Sequence, residues 1–236
     1  MKSIRSTAIV VGILYIVGTV SGVLSFAAFS DLLDGPDTLG QVGANADRVR
    51  VGALLVLAMG VSLALIPAVL YPVLRRLSRP LAIGYVIFRG ALETCTYIAA
   101  AICSLLLVTT AEQASTAGPV ARAQLGSLAA LLVKAQDPVI SAVTAMTFAI
   151  SALMLNYLLY QGRLLPRWLS AWGFLGAVAY FCAGVVAVFT ANPIYLMMPL
   201  AVQEMVMAVW LIVKGFNTDA PVFHGEPRTD RQPLLV

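Results

Sequence analysis

Apolar residues run nearly unbroken through six stretches of the chain, residues 7–29, 51–74, 81–108, 139–160, 169–190 and 194–213. A helix needs about 20 such residues to cross a hydrocarbon core of about 30 Å, so each stretch is long enough to span a membrane. The first is longer than the apolar part of a signal peptide and lacks a cleavage end, so it reads as a retained helix. The pattern predicts an all-α polytopic membrane protein: one domain over residues 1–217, a bundle of six transmembrane helices, followed by a polar tail over 218–236 expected to be disordered.

Between the spans the polar breaks differ in kind. The connection over 30–50 carries DGPD, a turn signal, and is too polar to enter lipid. The connection over 111–137 is longer, and its second half, ARAQLGSLAALLVKAQD, reads as a helix with Leu125, Leu128, Leu132 and Val133 close to one face. Such a helix either lies on the membrane or extends the fourth span outward until Pro138 bends it. It serves either as a structural lid or as a gate over an outer cavity. Pro67 and Pro199 fall inside the second and sixth spans, where each removes a backbone hydrogen bond and offers a kink. Gly18 and Gly22, and the row Gly173, Ala177, Ala179 and Ala183, give the first and fifth spans small faces that let helices approach closely. Trp168, Trp172, Tyr71, Tyr160 and Tyr195 stand near span ends, the level that amphipathic rings prefer.

Composition agrees with the pattern. Residues are 60% hydrophobic and 11% charged, with a mean hydropathy of +0.91, against about 25% charged in a soluble domain. The net charge of +4 and pI near 9.1 describe topology rather than a nucleic-acid partner, because the basic residues flank spans on one face. Lys2, Arg5, Arg75, Arg76, Arg79, Arg163, Arg167, Lys214, Arg228 and Arg231 fall on the face that holds both termini. Only Arg48, Arg50, Arg122 and Lys134 fall opposite, together with six acids, Asp31, Asp34, Asp37, Asp47, Glu112 and Asp137. The excess of Lys and Arg predicts cytoplasmic termini. Cys95, Cys103 and Cys182 lie in apolar runs without metal-like spacing and are expected to be reduced and buried. The lone histidine, His224, stands in the tail, so no metal site and no cofactor are expected.

Three charges break the apolar runs. Arg89 lies nine residues from Pro80, about 13 Å deep at ~1.5 Å per residue, and Glu93 follows one turn further on the same helix. Glu204 lies ten residues before Lys214, about 15 Å from the same face. Each costs about 2.5 to 3.5 kcal/mol at the centre of a span, so the three are expected to turn inward and meet, with Arg89 forking between Glu93 and Glu204. Thr94, Thr96, Tyr97, Asn156, Tyr180 and Gln203 are candidate hydrogen-bonding neighbours. One arginine does not neutralise two carboxylates, so either one carboxyl holds a proton or the site admits a cation or water.

FRGALET on the third span, YLLYQGRLLPRWLSAWGFLGAVAY across the fourth and fifth, and QEMVMAVWLIVKGFN closing the sixth together resemble the bacterial membrane family known as domain of unknown function 4386. The likeness runs from the first span to Asn217. Arg89 and Glu93 match the family's pattern on its third helix, Gly162 and Pro166 to Trp168 its inner loop, and Glu204, Trp210, Lys214 and Gly215 its closing pattern. The resemblance implies six helices in a bacterial inner membrane and brings no activity with it.

Enzyme chemistry finds little support. Ser104, Ser141 and Ser151 have no histidine partner, and there is no Gly-rich phosphate loop and no pair of axial histidines. A midplane cluster suits a protein that binds or transports a small anionic or amphipathic ligand, with Arg89 holding a carboxylate or phosphate and Glu93 or Glu204 taking a coupling proton. The alternative is a non-catalytic regulatory or assembly module whose cluster only fixes helix packing. Six helices leave little room for a wide pathway, so a homodimer in the lipid bilayer is the expected assembly.

Overall fold

The computed structural model describes residues 2–33, 37–190 and 193–224. Helix α1 (Lys2–Leu33) crosses first, and the short α2 (Thr38–Ala44) leads into α3 (Ala46–Leu74). Helix α4 (Arg79–Tyr85) continues through a π-helical segment (Val86–Leu92) into α5 (Glu93–Thr116). Helix α6 (Pro119–Lys134) runs back through a second π segment (Ala135–Ile140) into α7 (Ser141–Gly162). Then come α8 (Arg167–Ala187), α9 (Ile194–Val213) and a last turn, α10 (Pro221–His224). The described residues contain no strand. Six helices are long and apolar enough to cross a membrane: α1, α3, α4 with α5, α7, α8 and α9.

The main packing contacts close a ring. Helix α1 lies on α3, α3 on the first π segment and α5, α4 on α7, α7 on α8, α8 on α9, and α9 returns to α1. Arg5 locks that closure: its Nη2 donates to the carbonyls of Ile212 at 2.8 Å and Val213 at 2.9 Å. These carbonyls have no intrahelical donor at the end of α9, and the cation also suits the negative end of the helix dipole. The start of α1 and the end of α9 therefore sit on one face. Gly215 has a φ of 78° and lies so close to Arg5 that a Cβ would stand 2.6 Å from its Nη1. The positive φ is what calls for glycine there, since the end of the Arg5 side chain could shift.

The half of the ring nearest the termini is filled by one continuous core, with Tyr15, Ile66, Leu70, Tyr85, Leu158 and Met207 among its most buried members. In the other half the interior splits into two separate clusters. Phe148, Ala152, Ala177 and Leu200 join α7, α8 and α9, whereas Ala53, Val56 and Ala101 join α3 and α5. The first-span glycines have the packing role expected of them: a Cβ on Gly18 would lie 2.8 Å from Leu63, and one on Gly22 2.6 Å from Met59 Sδ.

The continuous helix over Arg79–Thr116 has 38 residues, about 57 Å at ~1.5 Å per residue against a core of about 30 Å. Its far end therefore stands outside the membrane, and α6 returns along it as a helical hairpin. Of the two placements open for 111–137, the outward extension is the one found, and it runs through the π segment around Pro138. Leu125, Leu132 and Val133 of α6 pack on a separate outer core of Leu39, Val42, Leu107 and Ala111, whereas Leu128, expected close to the same face, is exposed.

Other expectations change in detail. Asp34 to Pro36 of the DGPD turn lie outside the described residues, and Asp37 caps α2, its Oδ1 accepting from Gly40 N at 3.1 Å. The cysteines are free, but Cys95 and Cys182 are exposed and Cys103 half-buried. A thiol costs little against lipid, so an apolar run does not tell whether it points in or out. The tail expected to be disordered packs over its first residues, with Ala220 buried and Val222 and Phe223 against the main core. Residues 225–236 lie outside the described residues.

Val120, at the hairpin tip, and Thr218, after α9, are exposed on opposite faces. In a Cys95→Ala/Cys103→Ala/Cys182→Ala background, Val120→Cys and Thr218→Cys are expected to react with an impermeant maleimide from opposite sides of sealed vesicles. Labelling of both from one side would refute the six-span path.

Candidate functional site

Tyr85, Arg89, Glu93 and Tyr97 recur at four-residue steps. On a regular α-helix each step turns the row by about 40°, so Tyr97 would drift about 120° from Tyr85. The wider turns of the π segment over Val86–Leu92 take back part of that drift, and π segments are frequent where a helix carries function. Tyr85, Arg89 and Glu93 are buried as a result, at 1%, 2% and 0% exposure. Pro67 of α3 stands 3.4 Å from where a Cβ on Gly90 would be, an ordinary packing distance, so α3 lies directly on this row.

Arg89 forks as its shared depth with Glu204 predicts. Nη1 donates to both oxygens of Glu93, at 2.9 and 3.1 Å, and Nη2 donates to Glu204 Oε1 at 3.4 Å. Glu93 also accepts from the Tyr97 hydroxyl at 2.7 Å. Aromatic faces close over the guanidinium, whose carbon lies 4.6 Å from the centre of the Phe148 ring and 5.7 Å from that of Tyr15. Desolvated contacts of this type contribute up to about 2 kcal/mol. Tyr180 meets Phe148 edge to face at 4.8 Å and lies within electrostatic reach of both carboxylates. Tyr15 and Tyr85 lie similarly near Arg89 and Glu204.

The remaining predicted neighbours separate from this group. Gln203 Nε2 donates to Asn156 Oδ1 at 3.4 Å and to the Leu169 carbonyl at 3.2 Å, making a second polar bridge among α9, α7 and α8. Neither residue bonds Arg89, because adjacent positions on a helix point in different directions and Gln203 faces α8. Thr94 Oγ1 is buried without a hydrogen-bond partner, and Thr96 donates instead to the Glu93 carbonyl and accepts from Thr144 of α7. Gly173 of α8 makes the second bridge possible: a Cβ there would collide with Asn156 Oδ1 and Gln203 Nε2.

Tyr15, Tyr85 and Phe148 are site residues absent from the expected set. Tyr15 lies ten residues after Arg5, about 15 Å from the terminal face, so the depth count that pairs Arg89 with Glu204 reaches it too. Tyr85 is the missing first member of the four-residue row. Phe148 carries no polar signal. Among the described residues no three His, Cys, Asp or Glu side chains converge as a metal site would require. The chemistry available is that of a charge-assisted fork ringed by tyrosines: anion exchange at Nη2 and proton uptake at a carboxylate.

Removing one member of a buried ion pair costs about 3 to 5 kcal/mol, while replacing the whole group by apolar residues is often neutral. Arg89→Leu is expected to lose that amount in denaturation of purified protein, and Arg89→Leu/Glu93→Leu/Glu204→Leu to regain most of it. Gly173→Ala is expected to cost about 1 to 3 kcal/mol by overpacking. A neutral Gly173→Ala would show that the Asn156–Gln203 bridge does not depend on the gap beside it.

No curated protein and no solved structure matches the chain. The family described as domain of unknown function (DUF4386) matches residues 10–215. That span takes in the whole ring except the first two turns of α1, and all the residues of the fork, so the chain belongs to this family.

Proposed function

We propose that the fork is a proton-linked binding site for a small anionic or amphipathic ligand, in a protein that binds such a ligand within the membrane or carries it across. The inequality of the fork carries this reading. Glu93 holds Arg89 with two oxygens and is itself held by Tyr97, whereas Glu204 holds it through one long bond and keeps 14% of its side chain exposed. A carboxylate or phosphate entering beside Nη2 takes the place of Glu204. If Glu204 then takes up a proton, the net charge of the site is the same before and after, which is the least costly exchange in a low-dielectric interior. The cation asymmetry supports cytoplasmic termini, and the divided outer half of the core supports entry from the opposite face.

A second reading has its own support in the burial of Arg89, whose charge is answered entirely from within the bundle. On that reading the chain is a non-catalytic regulatory or assembly module, and the fork fixes α4–α5 against α9.

Infrared titration of the reconstituted protein separates the two. The binding reading expects a carboxylic-acid carbonyl band that titrates, disappears in Glu204→Gln and persists in Glu93→Gln; the module reading expects none. In a melting screen of short and long-chain carboxylates and phosphates, a ligand at about 100 times its Kd adds about 2.7 kcal/mol to the wild type. The Arg89→Leu/Glu93→Leu/Glu204→Leu variant is expected to gain nothing. Because binding takes up a proton, affinity is expected to fall as pH rises through the titration. A pH-independent affinity sinks the proton linkage.

A further inference from the structure

The terminal face carries a second cluster of charge that the buried fork does not use. The α7–α8 connection and the end of α9 enclose a cleft of about 420 Å³, lined by Arg163, Arg167, Lys214 and Trp210. Three independent features of this cleft concern anions.

The first is the lack of counter-charge. Among the described residues none of the three cations has a carboxylate partner; Arg167 lies over the Tyr160 ring at 5.4 Å and Lys214 over the Trp210 ring at 4.5 Å. Two of the four cations on the other face are treated differently, since Arg48 pairs with Asp31 and Arg50 with Asp47 and Glu112. The start of α8, at Pro166 and Arg167 on the same cleft, has no side-chain cap, which leaves its positive end open.

The second is backbone strain. Arg163 ends α7 in the left-handed region, with φ 51° and ψ 31°, where a non-glycine residue costs about 1 to 2 kcal/mol. Glycine is the usual occupant of that position. The chain does have a glycine next to it, Gly162, but that one is committed to packing: a Cβ would stand 2.5 Å from Leu77. Arg163 therefore keeps its place on the cleft at a cost, as happens where a residue serves a function.

The third is depth. Trp210 lines the cleft, and the other two tryptophans of the chain cluster beside it, Trp168 edge-on to Trp210 at 6.3 Å and stacked on Trp172 at 6.4 Å. Indole rings favour the headgroup level, and from that level the apolar faces of α8 and α9 run down into the bilayer.

We propose that the cleft binds the phosphate of an anionic phospholipid, with Arg163 and Arg167 presenting planar donors and Lys214 a point charge. The lipid tails would lie along α8 and α9, which distinguishes this ligand from free phosphate of the same headgroup chemistry.

Because the tryptophans report this region alone, their fluorescence tests the proposal directly. The full chain is reconstituted in phosphatidylcholine vesicles containing a small fraction of brominated phosphatidylglycerol or, in parallel, brominated phosphatidylcholine. The expected result is severalfold stronger quenching by the anionic lipid, unchanged by added inorganic phosphate and lost in Arg163→Gln/Arg167→Gln/Lys214→Gln. Equal quenching by the two lipids in the wild type overturns the proposal. Abolition of the preference by inorganic phosphate, at constant ionic strength, overturns the lipid as source. Should the triple variant fail to fold, Arg163→Gly replaces it: relief of the left-handed strain is expected to raise its melting temperature while the anionic preference falls. An Arg163→Gly protein that keeps the full preference also counts against the assignment.

Discussion

A guanidinium in the middle of a membrane has no water to fall back on, and the arrangement of the helices around Arg89 follows from that constraint. Its charge has to be met by protein. Glu93 meets it from the same helix, Glu204 from the last span, and the rings of Tyr15 and Phe148 from the first and fourth. Four of the six spans thus contribute to one side chain. A π segment, which a helix otherwise avoids because its hydrogen bonding is poorer, is stabilised here because it keeps Tyr85, Arg89 and Glu93 on the interior side.

The two faces of the bundle handle charge in opposite ways, and each way has a structural counterpart. Away from the termini, Arg48 and Arg50 are tied to acids, and the chain continues outward as the α5–α6 hairpin over its own small core. Such exposed pairs contribute little stability one by one. On the terminal face Arg5 is spent on the end of α9, while Arg163, Arg167 and Lys214 line a cleft in which aromatic rings, rather than carboxylates, are the neighbours. A cation resting on a ring keeps its charge available to a further partner, which a cation in a salt bridge does not.

Much of this architecture is legible in the sequence, because hydrocarbon restricts what a sequence can mean. Runs of apolar residues locate the six spans, and counting residues from the terminal face sets Arg89 and Glu204 at one depth on two helices. The features that escape such a reading depend on direction rather than depth. Asn156 and Gln203 have the right depth and the right chemistry, yet they bond each other because Gln203 faces α8. Cys95 and Cys182 sit in apolar runs but face outward. Leu39 and Val42 sit in a stretch that reads as polar loop, and they are buried only because α5 and α6 extend far enough to cover them. The π segment has no sequence signature beyond the four-residue row, and the contact of Phe148 with Arg89 is a product of tertiary packing by α7 with no local trace.

The order of strengths within the fork bears on how such a bundle can move. Glu93 and Arg89 belong to one helix, in the group formed by α1, α3 and α4–α5; Glu204 belongs to the group formed by α7, α8 and α9. Within the fork, the bond across the groups is the single one at 3.4 Å, and the bonds within a group are the paired ones at 2.9 and 3.1 Å. In the half nearest the termini the two groups share one core, and in the other half each keeps its own. If the groups part on that divided side, Arg89 gives up Glu204 and the Phe148 ring, and Thr96 gives up Thr144. Arg89 then remains neutralised by Glu93 and covered from α1 by Tyr15, so the separation exposes a carboxylate and an unoccupied donor without stranding a bare cation in lipid. Had the strong pair crossed the groups, the same motion would have had to overcome the full cost of an uncompensated buried charge.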